Sequence, residues 1–103
     1  MKRRGVLILG FILLVSELIF GQDRETVTGR IVEKGTGEPV VGATVVVKGT
    51  STGTISDVNG FYTLRDIPQD AVLIFSFVGM KAQEVPVEGR RVINVELEID
   101  SKV

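Results

Sequence analysis

From about residue 26 onward, apolar and polar residues alternate with a period of two, and turn-forming clusters interrupt them about every ten residues. The first such stretch is 26–33, with Val27 and Ile31 on one face and Gly29 between them. Lys34-Gly35-Thr36-Gly37-Glu38 reads as a turn closed by Pro39, and 43–48 comes next with Ala43, Val45 and Val47 opposing Thr44, Val46 and Lys48. After a break at 49–53, residues 54–56 make a short third strand. Asp57-Val58-Asn59-Gly60 is then expected as a tight hairpin turn, because Asn-Gly tolerates positive φ at both positions. The chain returns through 61–65, with Tyr62 and Leu64 on one face, and 66–70 reads as a connection. Residues 72–78 are apolar on both faces except at Ser76, which predicts a central, well-covered strand ended by Gly79. A weaker strand over 81–87 carries Pro86, a residue confined to sheet edges. In 92–99, Ile93, Val95, Leu97 and Ile99 alternate with polar residues. Seven short strands without an amphipathic helix predict an all-β sandwich. Its expected core is Val45, Val47, Tyr62, Leu64, Leu73, Phe75, Phe77, Ile93, Val95 and Leu97. The apolar run 40–47 is expected to be covered, since such a run invites strand-to-strand aggregation when exposed.

The first 21 residues obey a different logic. Lys2, Arg3 and Arg4 precede an apolar run from Val6 to Val15, the layout of a secretory signal peptide. Glu17 cuts the run short of the roughly 20 apolar residues that a membrane-spanning helix needs. Cleavage is expected after Gly21, leaving Gln22 as the first residue. The domain plan is then a signal peptide at 1–21, a short linker at 22–25, a sandwich at 26–99 and the start of a linker at 100–103.

Composition narrows the chemistry. The chain of 103 residues contains no Cys, His or Trp, so disulfides, thiolate or Ser-His nucleophiles and ordinary zinc or haem sites are excluded. No cysteine is available for lipid attachment either. The formal net charge of −1 offers no basic footprint for nucleic acid. Losing residues 1–21 removes Lys2, Arg3, Arg4 and Glu17 and leaves 9 basic and 12 acidic side chains, a mildly acidic exported segment. Fifteen Val and eight Thr among those 82 residues suit a pleated sheet.

Candidate sites reduce to turn and core chemistry. Asp57-Val58-Asn59-Gly60 resembles the beginning of a calcium loop, but the twelfth position counted from Asp57 is Pro68 rather than a bidentate Glu. Asp57 is better read as capping its own turn. Asp57, Asp66, Asp70 and Glu84 are the carboxylates available to a hydrolase, yet nothing in the sequence holds two of them roughly 5–10 Å apart. Neither Gly35-Thr36-Gly37 nor 49–53 ends in the Gly-Lys-Ser/Thr of a phosphate loop. Phe61, Tyr62, Phe75 and Phe77 would suit a sugar-stacking platform, but alternation assigns most of them to the core.

Three stretches carry a family resemblance. They are Val27-Thr28-Gly29-Arg30-Ile31-Val32, Gly37-Glu38-Pro39-Val40-Val41-Gly42-Ala43-Thr44-Val45 and Gly53-Thr54-Ile55-Ser56-Asp57-Val58-Asn59-Gly60-Phe61-Tyr62, continued by Leu73-Ile74-Phe75-Ser76-Phe77-Val78-Gly79-Met80-Lys81. Together they resemble a carboxypeptidase-regulatory-like domain. More narrowly, they are similar to the N-terminal extension of SusC/RagA-type TonB-dependent outer-membrane transporters of the Bacteroidetes. Met80 stands where that family usually has an aromatic. The resemblance spans about 26–101 and implies a seven-stranded, transthyretin-like or immunoglobulin-like sandwich in the periplasm, with no catalytic residues, metal or cofactor.

In that setting Pro39 and Gly42 shape the approach to the second strand, Asp57 and Gly60 make the turn, and Tyr62 packs inward. Gly29, Phe75 and Gly79 complete the structural motif. The resemblance further implies a TonB box, plug and barrel beyond the sandwich, with a TonB-type energy-coupling protein and a surface glycan-binding lipoprotein as partners in glycan or peptide uptake. The expected function is a non-enzymatic accessory or interaction domain at the periplasmic face of the outer membrane. The rivals are a free-standing secreted module binding glycan or protein, and a hydrolase working through Asp57, Asp66 or Glu84. The edge strand carrying Pro86 is a further place where a partner strand could add.

Overall fold

A computed structural model describes residues 24–101, so the expected signal peptide at 1–21, with residues 22–23 and 102–103 of the flanking linkers, lies outside the described residues. Seven strands form: β1 (Arg24–Glu33), β2 (Thr44–Val47), β3 (Gly53–Ile55), β4 (Phe61–Pro68), β5 (Val72–Ser76), β6 (Gln83–Pro86) and β7 (Val95–Leu97). They divide into a three-stranded sheet in the order β4-β1-β7 and a four-stranded sheet in the order β3-β2-β5-β6. The four-stranded sheet is antiparallel throughout, whereas β7 lies parallel to β1 and pairs Ile31 with Val95 and Glu33 with Leu97. The all-β sandwich expected from the alternation is therefore the fold.

One face of each sheet makes the core. Val27, Ile31, Tyr62, Leu64, Val95 and Leu97 come from the three-stranded sheet, and Val45, Val47, Leu73 and Phe75 come from the other. Each buried aliphatic side chain contributes roughly 1.5–3 kcal/mol relative to exposure, which is how a chain without disulfides holds two sheets together. β5 sits between β2 and β6, so its central position is as expected, although Val72 and Ile74 on its outer face are only half-buried. β6 is an edge strand.

Several expectations are corrected. Phe77 is not a core residue: β5 ends at Ser76, the chain turns with the Met80 N–H donating to the Phe77 carbonyl, and the ring is left 37% exposed at the rim. Ile99 is likewise exposed, because β7 ends at Leu97 and only an isolated bridge to Met80 lies beyond it. Of the run 40–47, Val40, Ala43, Val45 and Val47 are covered but Val41 is exposed.

The connection expected at 66–70 is partly strand. β4 continues to Pro68 through a bulge: Val27 faces Leu64 while Glu25 faces Ile67, so β4 spends one extra residue. Asp66 absorbs it at φ 61°, in the left-handed region that Asp tolerates better than most residues. The bulge resets the alternation and turns Ile67 into the core, where it is 1% exposed. β1 begins at Arg24, which faces Pro68, so the first strand takes in part of the stretch expected as linker.

The Asp57–Gly60 turn is also not a hairpin of the expected kind. β3 and β4 lie in different sheets, so the turn is a corner that carries the chain from one layer to the other. Positive φ falls on Gly60 alone in this turn, not on Asn59.

Candidate functional site

Two polar fasteners lie in the interior, each holding neighbouring backbone segments together. In the first, Gly29 of β1 faces Tyr62 of β4, and the Tyr62 ring crosses over the glycine. Its hydroxyl donates to the Ile93 carbonyl at 2.7 Å. A Cβ on Gly29 would run into that carbonyl and lie 2.9 Å from Tyr62 Cε1. Glycine is required here for close approach rather than for a turn. Where the ladder between β1 and the segment before β7 is interrupted, the Asn94 side chain accepts the Arg30 N–H at 2.9 Å. Tyr62 also meets Phe75 of the opposite sheet edge-to-face, with centroids 5.5 Å apart and planes at 76°.

The second fastener is Ser56, 3% exposed. Its hydroxyl accepts the Ala43 N–H at 2.9 Å and donates to the Val40 carbonyl at 2.6 Å. Among the described residues, every buried side-chain polar atom has a partner, which removes one signature of a ligand-binding interior.

Burial raises the Tyr62 phenol from 10.0 to about 12, against a smaller lowering by Arg90. The protonated phenol is thus favoured in the folded state. Its contribution is complete below pH 10 and is lost as pH rises from about 10 to about 12. Tyr62 is the one tyrosine, so the tyrosinate absorbance band reports this group alone. The folded protein is expected to ionise near pH 12 and the denatured chain near pH 10. Tyr62→Phe should flatten the loss of stability over that interval. A folded-state midpoint near pH 10 would contradict the buried bond.

Asp57 caps the corner: one carboxylate oxygen accepts the N–H groups of Asn59 at 2.9 Å and Phe61 at 3.0 Å. Gly60 there has φ 82°, and a Cβ on it would lie 2.5 Å from the Ile31 carbonyl oxygen and 3.1 Å from Pro39 Cβ. Pro39 bridges to Val32, and Gly42, at φ 79°, donates its N–H to the Ser56 carbonyl at 3.0 Å. Gly79, at φ 80°, lies in the turn after β5 and accepts the Asp100 N–H at 2.9 Å.

The turns at 39–42, 57–60 and 77–80 therefore share one end of the sandwich with the outgoing segment at 98–101. That end is apolar. Val41, Phe77 and Met80 line one hollow together with Pro39, Val40, Glu33 and Glu38, and Met80 bridges to Ile99. Val78 is 92% exposed, Val58 72% and Ile99 58%. The opposite end, built from the turns near Thr50, Asp70 and Glu88, is polar and receives Arg24 beside Pro68. Alternation alone gave no sign of this polarity between ends, because the apolar residues come from three separate turns.

The structure separates Asp57 from Asp66 and places Asp70 in the connection between β4 and β5. Asp57 precedes β4 and Asp66 lies near its far end, on the order of 15 Å or more along the strand. Glu84 instead pairs with Lys48 at 2.9 Å. No group of three acidic side chains that could hold a metal occurs among the described residues. Of the four aromatics weighed as a platform, Tyr62 and Phe75 are buried while Phe61 and Phe77 are exposed. The Arg30 guanidinium already lies over Phe61, 5.5 Å from its centroid, and its Nε donates to the Asn59 carbonyl at 2.9 Å. At the start of the edge strand with Pro86, the Gln83 side-chain amide donates to the Glu96 carbonyl, and just before it the Lys81 N–H donates to the Glu98 carbonyl at 2.9 Å.

A sandwich fastened from within, with exposed apolar side chains gathered at one end, defines a small all-β domain. The chain belongs to the CarboxypepD_reg-like domain family, matching it over residues 27–103. It is 38% identical over 107 residues to the TonB-dependent receptor SusC of Bacteroides thetaiotaomicron, covering all of this chain and 10% of that receptor. Two TonB-dependent receptors of Formosa agariphila are 39% and 32% identical, over 72% and 87% of this chain and 7% and 9% of their own lengths. The chain thus spans about a tenth of the curated relatives it matches. Among solved structures, a chain of a type II Cohesin-X-Dockerin complex from Acetivibrio cellulolyticus superposes with a TM-score of 0.52 at 22% identity. That match covers 72% of this chain and 50% of the other, and it shows the fold alone.

Proposed function

We propose that this chain is the leading accessory domain of a SusC-type TonB-dependent transporter, placed on the periplasmic side of the outer membrane and acting by contact rather than catalysis. The observation that carries the reading is the likeness of the whole chain to a tenth of the SusC receptor. Export rests on the signal peptide expected at 1–21, with cleavage after Gly21 and Gln22 as the mature N-terminus. A plug and barrel would come later in the same polypeptide, with a TonB-type energy-coupling protein and a surface glycan-binding lipoprotein as partners in glycan or peptide uptake. The physical content of the domain fits contact. Its buried hydroxyls are spent on fastening the interior, Asp57 and Asp66 lie toward opposite ends of β4, and Glu84 is paired with Lys48.

An epitope inserted in the exposed turn at 49–53 of the native protein tests the placement. The epitope should sediment with outer membranes, resist protease added to intact cells, and be cleaved once the outer membrane is permeabilised. Cleavage in intact cells would place the domain outside the cell. Recovery in the cytosol with Met1 retained would defeat export.

A further inference from the structure

We propose that the apolar end formed by Val41, Phe77, Val78, Met80 and Ile99 is where the polypeptide beyond residue 103 in the full-length receptor docks, through an apolar stretch flanked by basic side chains. This rests on the reading of the chain as the leading domain of a longer receptor. Three observations point to that occupant rather than to a separate protein or a second copy.

The first is where the chain leaves the sandwich. Asp100 is tied by its N–H to the Gly79 carbonyl, in the same turn as Val78, and Met80 bridges to Ile99. The next segment of the receptor therefore starts beside the apolar residues. The incoming end at Arg24 lies at the opposite, polar end.

The second is size. The exposed parts of these side chains amount to an area on the order of several hundred Å², comparable to the largest patch on an ordinary monomer and below the roughly 800 Å² that each partner gives to a stable interface between separate proteins. A tethered segment needs no such area, because a short connection supplies a high effective concentration in place of contact surface. The relatives extend about nine-tenths of their length beyond the region matched here, so in the proposed receptor such a segment is available.

The third is charge. The charged side chains lining the hollow with Val41, Phe77 and Met80 are Glu33 and Glu38. Both are acidic, so a basic flank is the complement. An exposed valine at the tip of a turn, as at Val78, gains nothing for the isolated domain. Covered by the next segment, it fixes the angle between the sandwich and the remainder of the receptor.

The experiment uses the full-length receptor in outer membranes. A benzophenone is carried on Val78→Cys, on Val41→Cys, or on Ser51→Cys at the polar end; this chain has no cysteine of its own. Unlabelled wild type sets the background. After illumination and digestion, Val78→Cys and Val41→Cys should yield cross-links within the same polypeptide to peptides beyond residue 103, several-fold above Ser51→Cys. Adding Glu38→Lys should lower the Val78→Cys yield several-fold. Cross-links mainly to another protein or a second copy, or a yield no higher than from Ser51→Cys, would overturn the proposal, and an unchanged yield with Glu38→Lys would overturn the basic flank. The mass of the labelled polypeptide separates the two failures. A polypeptide no longer than this chain defeats the transporter reading itself, whereas a receptor-length polypeptide without these cross-links defeats only the docking surface.

Discussion

Phe75→Ala is expected to destabilise the domain by about 3–5 kcal/mol, the range for deleting a fully buried aromatic side chain. Phe75 is 0% exposed on the central strand β5 and meets Tyr62 of the opposite sheet edge-to-face. Its removal leaves a cavity between the layers, where neither sheet can collapse without disturbing its own ladder. A domain of this size buries only about 60% of its unfolded surface and has about 5–15 kcal/mol of stability at most. The variant should therefore lose a large share of its stability, read as a large fall in the urea midpoint by circular dichroism. Phe77→Ala, two residues later, should cost under about 1 kcal/mol because its ring is at the rim. Equal losses at the two positions would contradict the placement of the core.

Gly29→Ala is the second large effect. The added methyl would overlap the Ile93 carbonyl and crowd the Tyr62 ring, and both neighbours are held by the hydrogen bond between them. Backbone cannot rotate aside as a flexible side chain can, so the segment before β7 must move off β1. Overpacking and the loss of a buried hydrogen bond together predict about 2–4 kcal/mol. By contrast, a methyl on Gly42 meets open space and should cost only about 1 kcal/mol, from its positive φ. The optical readout is independent of stability: in folded Gly29→Ala the Tyr62 phenol should ionise closer to pH 10 than to pH 12. A Gly29→Ala protein with unchanged stability and an unshifted phenol would contradict the crossing of Tyr62 over the glycine.

The sequence and the structure agree where local physics decides. Val45 and Val47 share one face of β2 by strand parity, and Leu73 and Phe75 join them inside because they are their cross-strand partners. The reason for Gly29 was not legible, because the carbonyl that approaches it, that of Ile93, lies far along the chain. The features that were not legible depend on distant pairing or on a change of parity. The parallel alignment of β7 on β1 and the division into three and four strands arise from contacts remote in sequence. Ile67 reached the core only through the bulge at Asp66, and Phe77 missed it because β5 stops one residue earlier. The apolar end escaped notice for the same reason, since Val41, Val78 and Ile99 become neighbours only once the turns are brought together.

The most direct test of the functional account is the size of the native polypeptide that carries this domain. An antiserum raised against residues 24–101 should detect, in outer membranes of the source cells, a single polypeptide roughly ten times the length of this chain, in keeping with its 10% share of the SusC receptor. A product no longer than this chain, found free of the membrane, would contradict it.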